Sequence, residues 1–219
     1  YIITYKGPKI FLDVRHSMIA YHTTERKNRK SILQNGLFPN PSMASKEVQN
    51  ASQILDNIKP KWIPDWVKRT NALYLYPEIT VDFLFMIGYP SSDLYAVKLP
   101  HNRGWMGSQL YGGFCLSECP MEEMDQETLQ FIKEDVGKKY WNYSCSLEDY
   151  INYDRRTRRK DRYVQEFDEI LFFERIPREN VELIGQWDQG IFRPNDSFIK
   201  YVKDEYKEEY MKIFGTNSL

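Results

Sequence analysis

The stretch that decides the fold is residues 167–184, which read FDEILFFERIPRENVELI. Its aromatic and β-branched residues predict a strand over residues 167–175, a turn at Ile176 and Pro177, and a second strand over residues 181–184. Because side chains alternate along a strand, Glu169 falls on an otherwise apolar face with Phe167, Leu171 and Phe173. A carboxylate there is costly unless it has a partner, which makes Glu169 a candidate functional residue. The alternative is an edge strand on which Glu169 faces water.

A second polar cluster is the sequence YHTT at residues 21–24. The apolar residues 18–21 predict a buried strand that ends at this polar site. A short helix is predicted over residues 28–36, where Gly36 would end it in the left-handed conformation that glycine favours. A histidine at a strand end is most often a structural residue, so the spacing alone leaves the role of His22 open.

The other predicted elements are short. Periodicity and turn signals predict strands over residues 72–76 and 94–99, and helices over residues 46–58, at residues 81–86, around Leu129 and from Ser146. Trp62 and Trp66 predict a packed irregular segment, and the glycines at 104, 107, 112 and 113 predict a middle rich in loops. A C-terminal amphipathic helix is predicted to have one apolar face, made of Phe198, Tyr201, Val202, Tyr206, Tyr210, Ile213 and Phe214. Strands and helices mix without a regular βαβ alternation, which predicts an α+β fold.

Length and composition favour one folded domain over residues 1–219. With 42% hydrophobic and 15% aromatic residues, the chain is not of the disordered class. The formal net charge of −1 argues neither for nor against a nucleic-acid partner, so any such argument needs a local basic patch.

The three cysteines, Cys115, Cys119 and Cys145, are too few for a disulfide framework and suit a reducing compartment, so a cytoplasmic location is expected. No paired Cys or His set at zinc spacing accompanies them, and no metal site is expected. Nothing approaches an 18-residue apolar run, so no membrane partner is expected.

The two polar clusters resemble the ADP-ribosyltransferase superfamily, and most closely its DNA-targeting toxins. YHTT at residues 21–24, followed by SIL at 31–33 and GL at 36–37, resembles the opening of that fold. DEILF at 168–172, running into IPRENV at 176–181, resembles the late strand that carries the catalytic glutamate. The resemblance implies an α+β fold of split mixed or antiparallel sheets with flanking helices.

The resemblance also implies a role for each matching residue. Glu169 would hold the 2′-hydroxyl of the nicotinamide ribose of NAD, and His22 would contact the adenosine ribose, which makes these two the catalytic candidates. The Thr23 backbone would hold the nicotinamide carboxamide, and one aromatic residue would stack on the nicotinamide ring. The implied NAD-binding set is Tyr21, His22, Thr23, Tyr74, Tyr76, Phe83 and Phe85. Glu169→Ala is expected to abolish transfer while leaving the fold intact.

The chain departs from the family pattern in one place. Arginine-modifying members have a second acid two residues before the catalytic glutamate, where this chain has Phe167, so arginine is disfavoured as the acceptor. If Glu166 were the catalytic residue instead, Asp168 would lie on its face of the strand.

A dense basic run, DRRTRRKDR at residues 154–162, immediately precedes the glutamate strand. It would bind the phosphate backbone of a nucleic-acid acceptor, with Tyr153 and Tyr163 stacking on bases. The alternative is a solvated loop; Lys68 and Arg69 would extend the basic surface or simply lie exposed. The candidate nucleic-acid-binding residues are Arg155, Arg156, Arg158, Arg159 and Lys160.

The expected partners are therefore NAD, a DNA or RNA acceptor, and, in toxin or phage-conflict biology, an antitoxin or an ADP-ribose-removing enzyme. A protein side chain other than arginine is the alternative acceptor. Two rivals stay open: an RNA 2′-phosphotransferase of the same fold, which would need several cations at the opening motif, and a non-catalytic binding module of phage or toxin origin.

Overall fold

The computed structural model describes residues 18–40, 44–80, 83–84, 90–100, 103–109, 111–112, 125–152 and 168–214. It is a mixed α/β structure in which eight strands form two antiparallel sheets of four strands each. The strands are β1 Ile19–Glu25, β2 Leu73–Leu75, β3 Ser91–Lys98, β4 Gly104–Ser108, β5 Cys145–Ser146, β6 Asp168–Phe172, β7 Val181–Asp188 and β8 Ile191–Pro194. The coarse expectation of an α+β fold agrees with this architecture.

The helices follow the same chain order. They are α1 Arg29–Asn35, α2 Lys46–Asn57, α3 Gln126–Asn142, α4 Leu147–Asn152, α5 Phe198–Tyr201 and α6 Asp204–Phe214. Side-chain caps begin two of them: the Ser45 hydroxyl accepts from the Val48 N–H, and the Asp125 carboxylate accepts from the Thr128 N–H at 2.7 Å. None of the described helices is long and apolar enough to cross a membrane.

The first sheet has the strand order β1-β3-β7-β8, and the second has the order β2-β6-β4-β5. One buried cluster lies between the sheets and joins Tyr95 and Val97 of the first to Ile170 and Phe172 of the second. The outer face of the first sheet packs on α5 and α6. The outer face of the second sheet packs on α2 and α3, so Glu169 and Leu171 of β6 point toward those helices.

Several predicted elements differ from the structure in extent. β1 continues past His22 to Glu25, and β6 ends at Phe172, three residues before the predicted strand end at 175. β7 extends to Asp188 and pairs with β8 through a two-residue turn at Gln189 and Gly190, whose φ angles of 53° and 81° are those of a hairpin turn. The middle of the chain was predicted to be rich in loops, but it contains β4. The glycines of β4 are not turn residues; they leave room for side chains of neighbouring elements.

The segment with Trp62 and Trp66 is irregular and packed as predicted, because Ile63 and Val67 fill the core, while the two tryptophans are 57% and 53% exposed. The C-terminal helix is interrupted at Val202, and Ile213 lies exposed, so the apolar face is shorter than predicted.

Several sequence predictions fall outside the described residues. They concern the candidate basic residues Arg155, Arg156, Arg158, Arg159 and Lys160, the flanking Tyr153 and Tyr163, the alternative acid Glu166, and Phe85, Phe167, Cys115 and Cys119.

Candidate functional site

A pair of main-chain hydrogen bonds links the two sheets at one edge of the cavity described below. The N–H of Tyr21 in β1 donates to the carbonyl of Tyr76, just after β2, and the N–H of Tyr76 donates back, with both N···O distances 2.8 Å. β1 and β2 belong to different sheets, so this bridge is a main-chain link between the two sheets. Beyond it the strands diverge and leave a gap between the sheets.

A cavity of about 530 Å³ opens at this gap, which is within the usual size range of small-molecule sites. It is lined by residues from both polar clusters of the sequence, including His22 and Glu169, although 147 positions separate them in the chain. The sides of the cavity come from β1, α1, α2 and the chain around β2. The described lining residues also include Thr23, Asn28, Phe38, Gln49, Ser52, Arg69, Tyr74, Tyr76 and Gln109.

His22 is half-buried at the mouth of the gap and has a defined tautomer. Its Nδ1 lies 3.0 Å from the carbonyl oxygen of Tyr74, which can only accept, so Nδ1 carries the proton. Burial lowers the pKa of His22, and the Tyr74 hydrogen bond offsets this only in part. The imidazole is therefore neutral near pH 7, and its Nε2 is a hydrogen-bond acceptor.

The backbone of Thr23 also faces the gap. In an extended strand, alternate residues turn their N–H and C=O groups to the same side. Since Tyr21 turns these groups to Tyr76, Thr23 turns its own toward the side of β1 from which β2 has diverged. Thr23 lines the cavity. An N–H and a C=O of one residue form a donor and acceptor pair that matches a carboxamide.

Glu169 lies deep in the cavity and is only 3% exposed. Arg69 donates from Nη1 to Glu169 Oε1 and from Nη2 to Oε2, the latter at 3.3 Å. The hydroxyl of Tyr140, on α3, donates to the same Oε1 at 2.8 Å. This cluster explains how a carboxylate stays in an apolar face: a cation and a hydroxyl compensate for the lost water.

Arg69 is itself held on several sides. Its guanidinium carbon lies 5.0 Å from the ring centre of Tyr74 and 5.1 Å from that of Tyr140, which allows cation–π contact with both. The carboxylate of Asp56 accepts from the backbone N–H groups of Arg69 and Thr70 at 2.8 and 3.0 Å. Burial, the largest single influence, would lower the pKa of Arg69, but Glu169 together with Tyr140, Tyr74 and Asp56 outweighs it and the pKa is raised. Arg69 is thus permanently charged.

The structure brings some of the predicted aromatic residues together and not others. Tyr74 and Tyr76 line the cavity. Phe83 is buried behind Tyr76, with ring centres 4.5 Å apart, and is not among the described lining residues. The side chain of Tyr21 is buried as well, and its hydroxyl donates to the carbonyl of Tyr201, so only its backbone serves the gap.

The sequence prediction missed Arg69 and Tyr140. Arg69 was expected on the surface or in a basic patch, but it is 2% exposed and paired with Glu169. The signal that could have found it is the need of a buried carboxylate for a cation. Tyr140 carries no such signal, because it is one of 16 tyrosines and its helix is mostly polar.

The described residues contain no group of three or more His, Cys, Asp or Glu side chains that could hold a metal ion. Comparisons with known proteins add no assignment: no family model, no curated protein and no solved structure matches the chain. The function of the cavity is therefore inferred from its residues.

Proposed function

We propose that this chain is an ADP-ribosyltransferase that cleaves NAD, releases nicotinamide and transfers ADP-ribose to a nucleic-acid acceptor. One observation carries the proposal: a neutral histidine and a buried glutamate from two distant segments line a single cavity. These are the two residues to which the resemblance to that superfamily gives catalytic roles. The split pair of antiparallel sheets also suits the fold that the resemblance implies.

The chemistry requires a fixed anion beside the reacting sugar. As the bond between nicotinamide nitrogen and C1′ of the ribose breaks, its electron pair leaves with nicotinamide and positive charge builds on the sugar. The carboxylate of Glu169 stabilises that charge and accepts a hydrogen bond from the ribose 2′-hydroxyl. The acceptor nucleophile then forms a bond to C1′ and gives up a proton to solvent.

The remaining contacts orient NAD. His22 Nε2 is available to accept from an adenosine ribose hydroxyl, since Nδ1 is committed to Tyr74. The backbone of Thr23 offers a donor and an acceptor to the nicotinamide carboxamide, and the predicted aromatic residues Tyr74 and Tyr76 line the cavity where they could contact its ring. Holding both ends of a flexible dinucleotide supplies the orientation that speeds bond cleavage.

The test measures nicotinamide release and ADP-ribose transfer together. The wild-type chain is incubated with NAD and one acceptor, which is DNA, RNA or protein in separate reactions. Each acceptor is then examined by mass spectrometry for one added ADP-ribose. Glu169→Gln is the matched variant, because the amide keeps the size of the side chain and removes its charge. We expect transfer by the wild type to nucleic acid and none by Glu169→Gln.

The outcomes separate the alternatives. Transfer only to protein would move the acceptor class to a protein side chain. Absence of nicotinamide release, of transferred mass and of thermal stabilisation by NAD would overturn the enzyme and favour a binding module. The reactions with DNA, RNA or protein should use all 219 residues, since residues 154–162 contain the densest basic run. In the same framework, an antitoxin or ADP-ribose-removing enzyme is the proposed protein partner.

A further inference from the structure

We infer that Tyr140 is a positioning residue for Glu169, which fixes one carboxylate oxygen and leaves the other for the substrate. The inference rests on the proposed function, which gives Glu169 its task. Tyr140 lies on α3, far from both polar clusters in the sequence, and no part of it is exposed.

The two oxygens of Glu169 are unequally occupied. Oε1 accepts from Arg69 Nη1 and from the Tyr140 hydroxyl, the latter at 2.8 Å, which fills both of its lone-pair sites. Among the residues that the structure describes, Oε2 accepts only a long contact of 3.3 Å from Arg69 Nη2. Oε2 therefore keeps the capacity to accept a hydroxyl hydrogen bond from a bound sugar, while Oε1 is used by the protein itself.

Two glycines keep the space that this arrangement needs. Gly107 of β4 is the direct partner of Glu169 in the sheet, and a Cβ at 107 would lie 2.7 Å from Cζ of Tyr140 and closer still to its hydroxyl. A Cβ at Gly112 would lie 2.8 Å from Cε2 of Tyr140 and closer still to Nη1 of Arg69. Any other residue at either position would push apart the groups that hold the carboxylate.

The direction of the hydrogen bond is also fixed. Burial raises the pKa of Tyr140 well above its ordinary value, so the hydroxyl keeps its proton and donates it to Glu169. The other ionisable groups around this cluster are Arg69, Tyr74 and Asp56. The Tyr74 hydroxyl is already committed, because it donates to the carbonyl of Arg69 at 2.7 Å. Tyr140 is thus the hydroxyl that acts on the carboxylate.

The test is Tyr140→Phe, with Tyr143→Phe as the matched control. Tyr143 follows the same helix and is 42% exposed, so the control removes a hydroxyl without touching Glu169. We expect Tyr140→Phe to lower kcat for nicotinamide release between about 10- and 100-fold, because a small misplacement of a catalytic group has effects of that size. The dissociation constant of NAD should change less than about threefold, since the binding contacts at the other end of the cavity remain.

The split between kcat and KM separates positioning from simple support of the fold. Without the donated hydrogen bond the carboxylate is less well fixed, so kcat per folded molecule should fall while the KM for NAD changes little. A purely structural role would lower the fraction of folded protein, measured by circular dichroism, and leave kcat per folded molecule unchanged. Tyr143→Phe should retain the wild-type kcat and KM.

A second variant covers the case in which Tyr140→Phe fails to fold. Gly107→Ala keeps the hydroxyl but displaces it, and should reproduce the loss of kcat. In the double variant, Gly107→Ala should add little to Tyr140→Phe, because the hydroxyl that it displaces is already absent. Additive losses would overturn the inference, and so would a Tyr140→Phe enzyme with the kcat of the control. Failure of the wild type to release nicotinamide would overturn the proposed function and the inference with it. That result is distinguishable from the two outcomes above, which require an active wild type.

Discussion

Arg69 and Glu169 form an ion pair whose side chains are 2% and 4% exposed, although 100 positions separate them in the sequence. The pair joins the segment before β2 to β6, one of the two inner strands of the second sheet. Arg69 approaches from beside α2, where Asp56 holds its backbone, while Glu169 is carried by β6. The site and the fold therefore share one interaction, and substitutions at either residue should affect both.

Removing Arg69 should be strongly destabilising. Arg69→Met leaves the Glu169 carboxylate buried without its cation, and loss of one partner of a buried pair costs about 3–5 kcal/mol in the free energy of unfolding. Urea denaturation of the variant measures the change. The double variant Arg69→Met with Glu169→Leu should recover part of the loss, because no buried charge then remains. A single variant within about 1 kcal/mol of the wild type would contradict the account of this pair.

Two substitutions of Glu169 should separate activity from stability. The sequence alone suggested that Glu169→Ala leaves the fold intact. In the structure, however, this substitution would leave the buried guanidinium of Arg69 without its anionic partner. We expect Glu169→Ala to be less stable than Glu169→Gln, since the amide oxygen still accepts from Arg69. Both should be inactive. Thermal melting and nicotinamide release, measured on the same samples, test this; equal melting temperatures would be the contrary result.

NAD binding should weaken as the pH falls. Burial lowers the pKa of His22 below its ordinary value of 6.5, so the side chain is neutral above pH 6.5 in the folded and the unfolded chain. Below that pH the unfolded chain takes up the proton more readily, so stability falls with decreasing pH. Protonation also removes the acceptor at Nε2. Calorimetric titration should give a constant NAD affinity above pH 7 and a declining one toward pH 5. His22→Gln, which cannot titrate, should bind more weakly at pH 7 and show a flatter profile.

A second buried charge should position the chain that follows β1. Asp93 is fully buried and accepts from Arg29 Nε at 2.8 Å and Nη2 at 2.5 Å, and from the Tyr95 hydroxyl at 3.1 Å. Arg29 begins α1, which lines the cavity, so Asp93→Asn should reduce both stability, by about 3–5 kcal/mol, and NAD affinity.

The control for Asp93 is Asp135→Asn. Asp135 pairs with Lys139 at 2.6 Å on the surface of α3, with both side chains more than one-third exposed. Water and salt screen surface pairs of this type, so they contribute little to stability and the control should unfold almost like the wild type. A loss of stability as large in Asp135→Asn as in Asp93→Asn would argue against the role of burial.

Gly36 and Gly190 form a matched pair for testing backbone constraint. Both have positive φ, 79° and 81°, but a Cβ at 36 would meet the backbone at Ile176 and Arg178, whereas nothing lies within 4 Å of a Cβ at 190. Gly190→Ala should lose about 1 kcal/mol through its φ angle alone. Gly36→Ala should lose more, because it also disturbs the hydrogen bonds of 2.9 and 2.7 Å between Leu37 and Ile176. Equal losses in urea denaturation would show that the close approach at Gly36 has no effect.

The sequence predicted those elements whose local pattern agrees with their packing. β6 and β7 are rich in apolar, β-branched and aromatic residues, α1 ends at Gly36, and the Ser146 hydroxyl accepts from the Asp149 N–H at 3.0 Å as expected of a cap. β4 was missed because GWMGS contains two glycines, which weaken a strand when considered alone. These glycines are explained only by long-range contacts, with Leu147 at Gly104 and Tyr140 at Gly107.

The sequence predicted the two central residues of the candidate site, but not the residues that hold them in place. Glu169 was conspicuous because an acid in an apolar strand needs a reason, and His22 because it follows an apolar run. Arg69 and Tyr140 reach the same carboxylate from an irregular segment and from a helix, and no local pattern indicates that. The sequence also did not indicate which residues of the irregular segment face the core, because that depends on long-range packing; the buried residues are Ile63 and Val67.

The main-chain bridge between Tyr21 and Tyr76 has a consequence for how this chain could change. The opening is defined by main-chain atoms of Tyr21 and Tyr76, which every amino acid except proline can supply in full. Exchange of the surrounding side chains would leave the entrance where it is. Ligand preference could therefore be redesigned, at Phe38 or Gln49 for example, without rebuilding the scaffold.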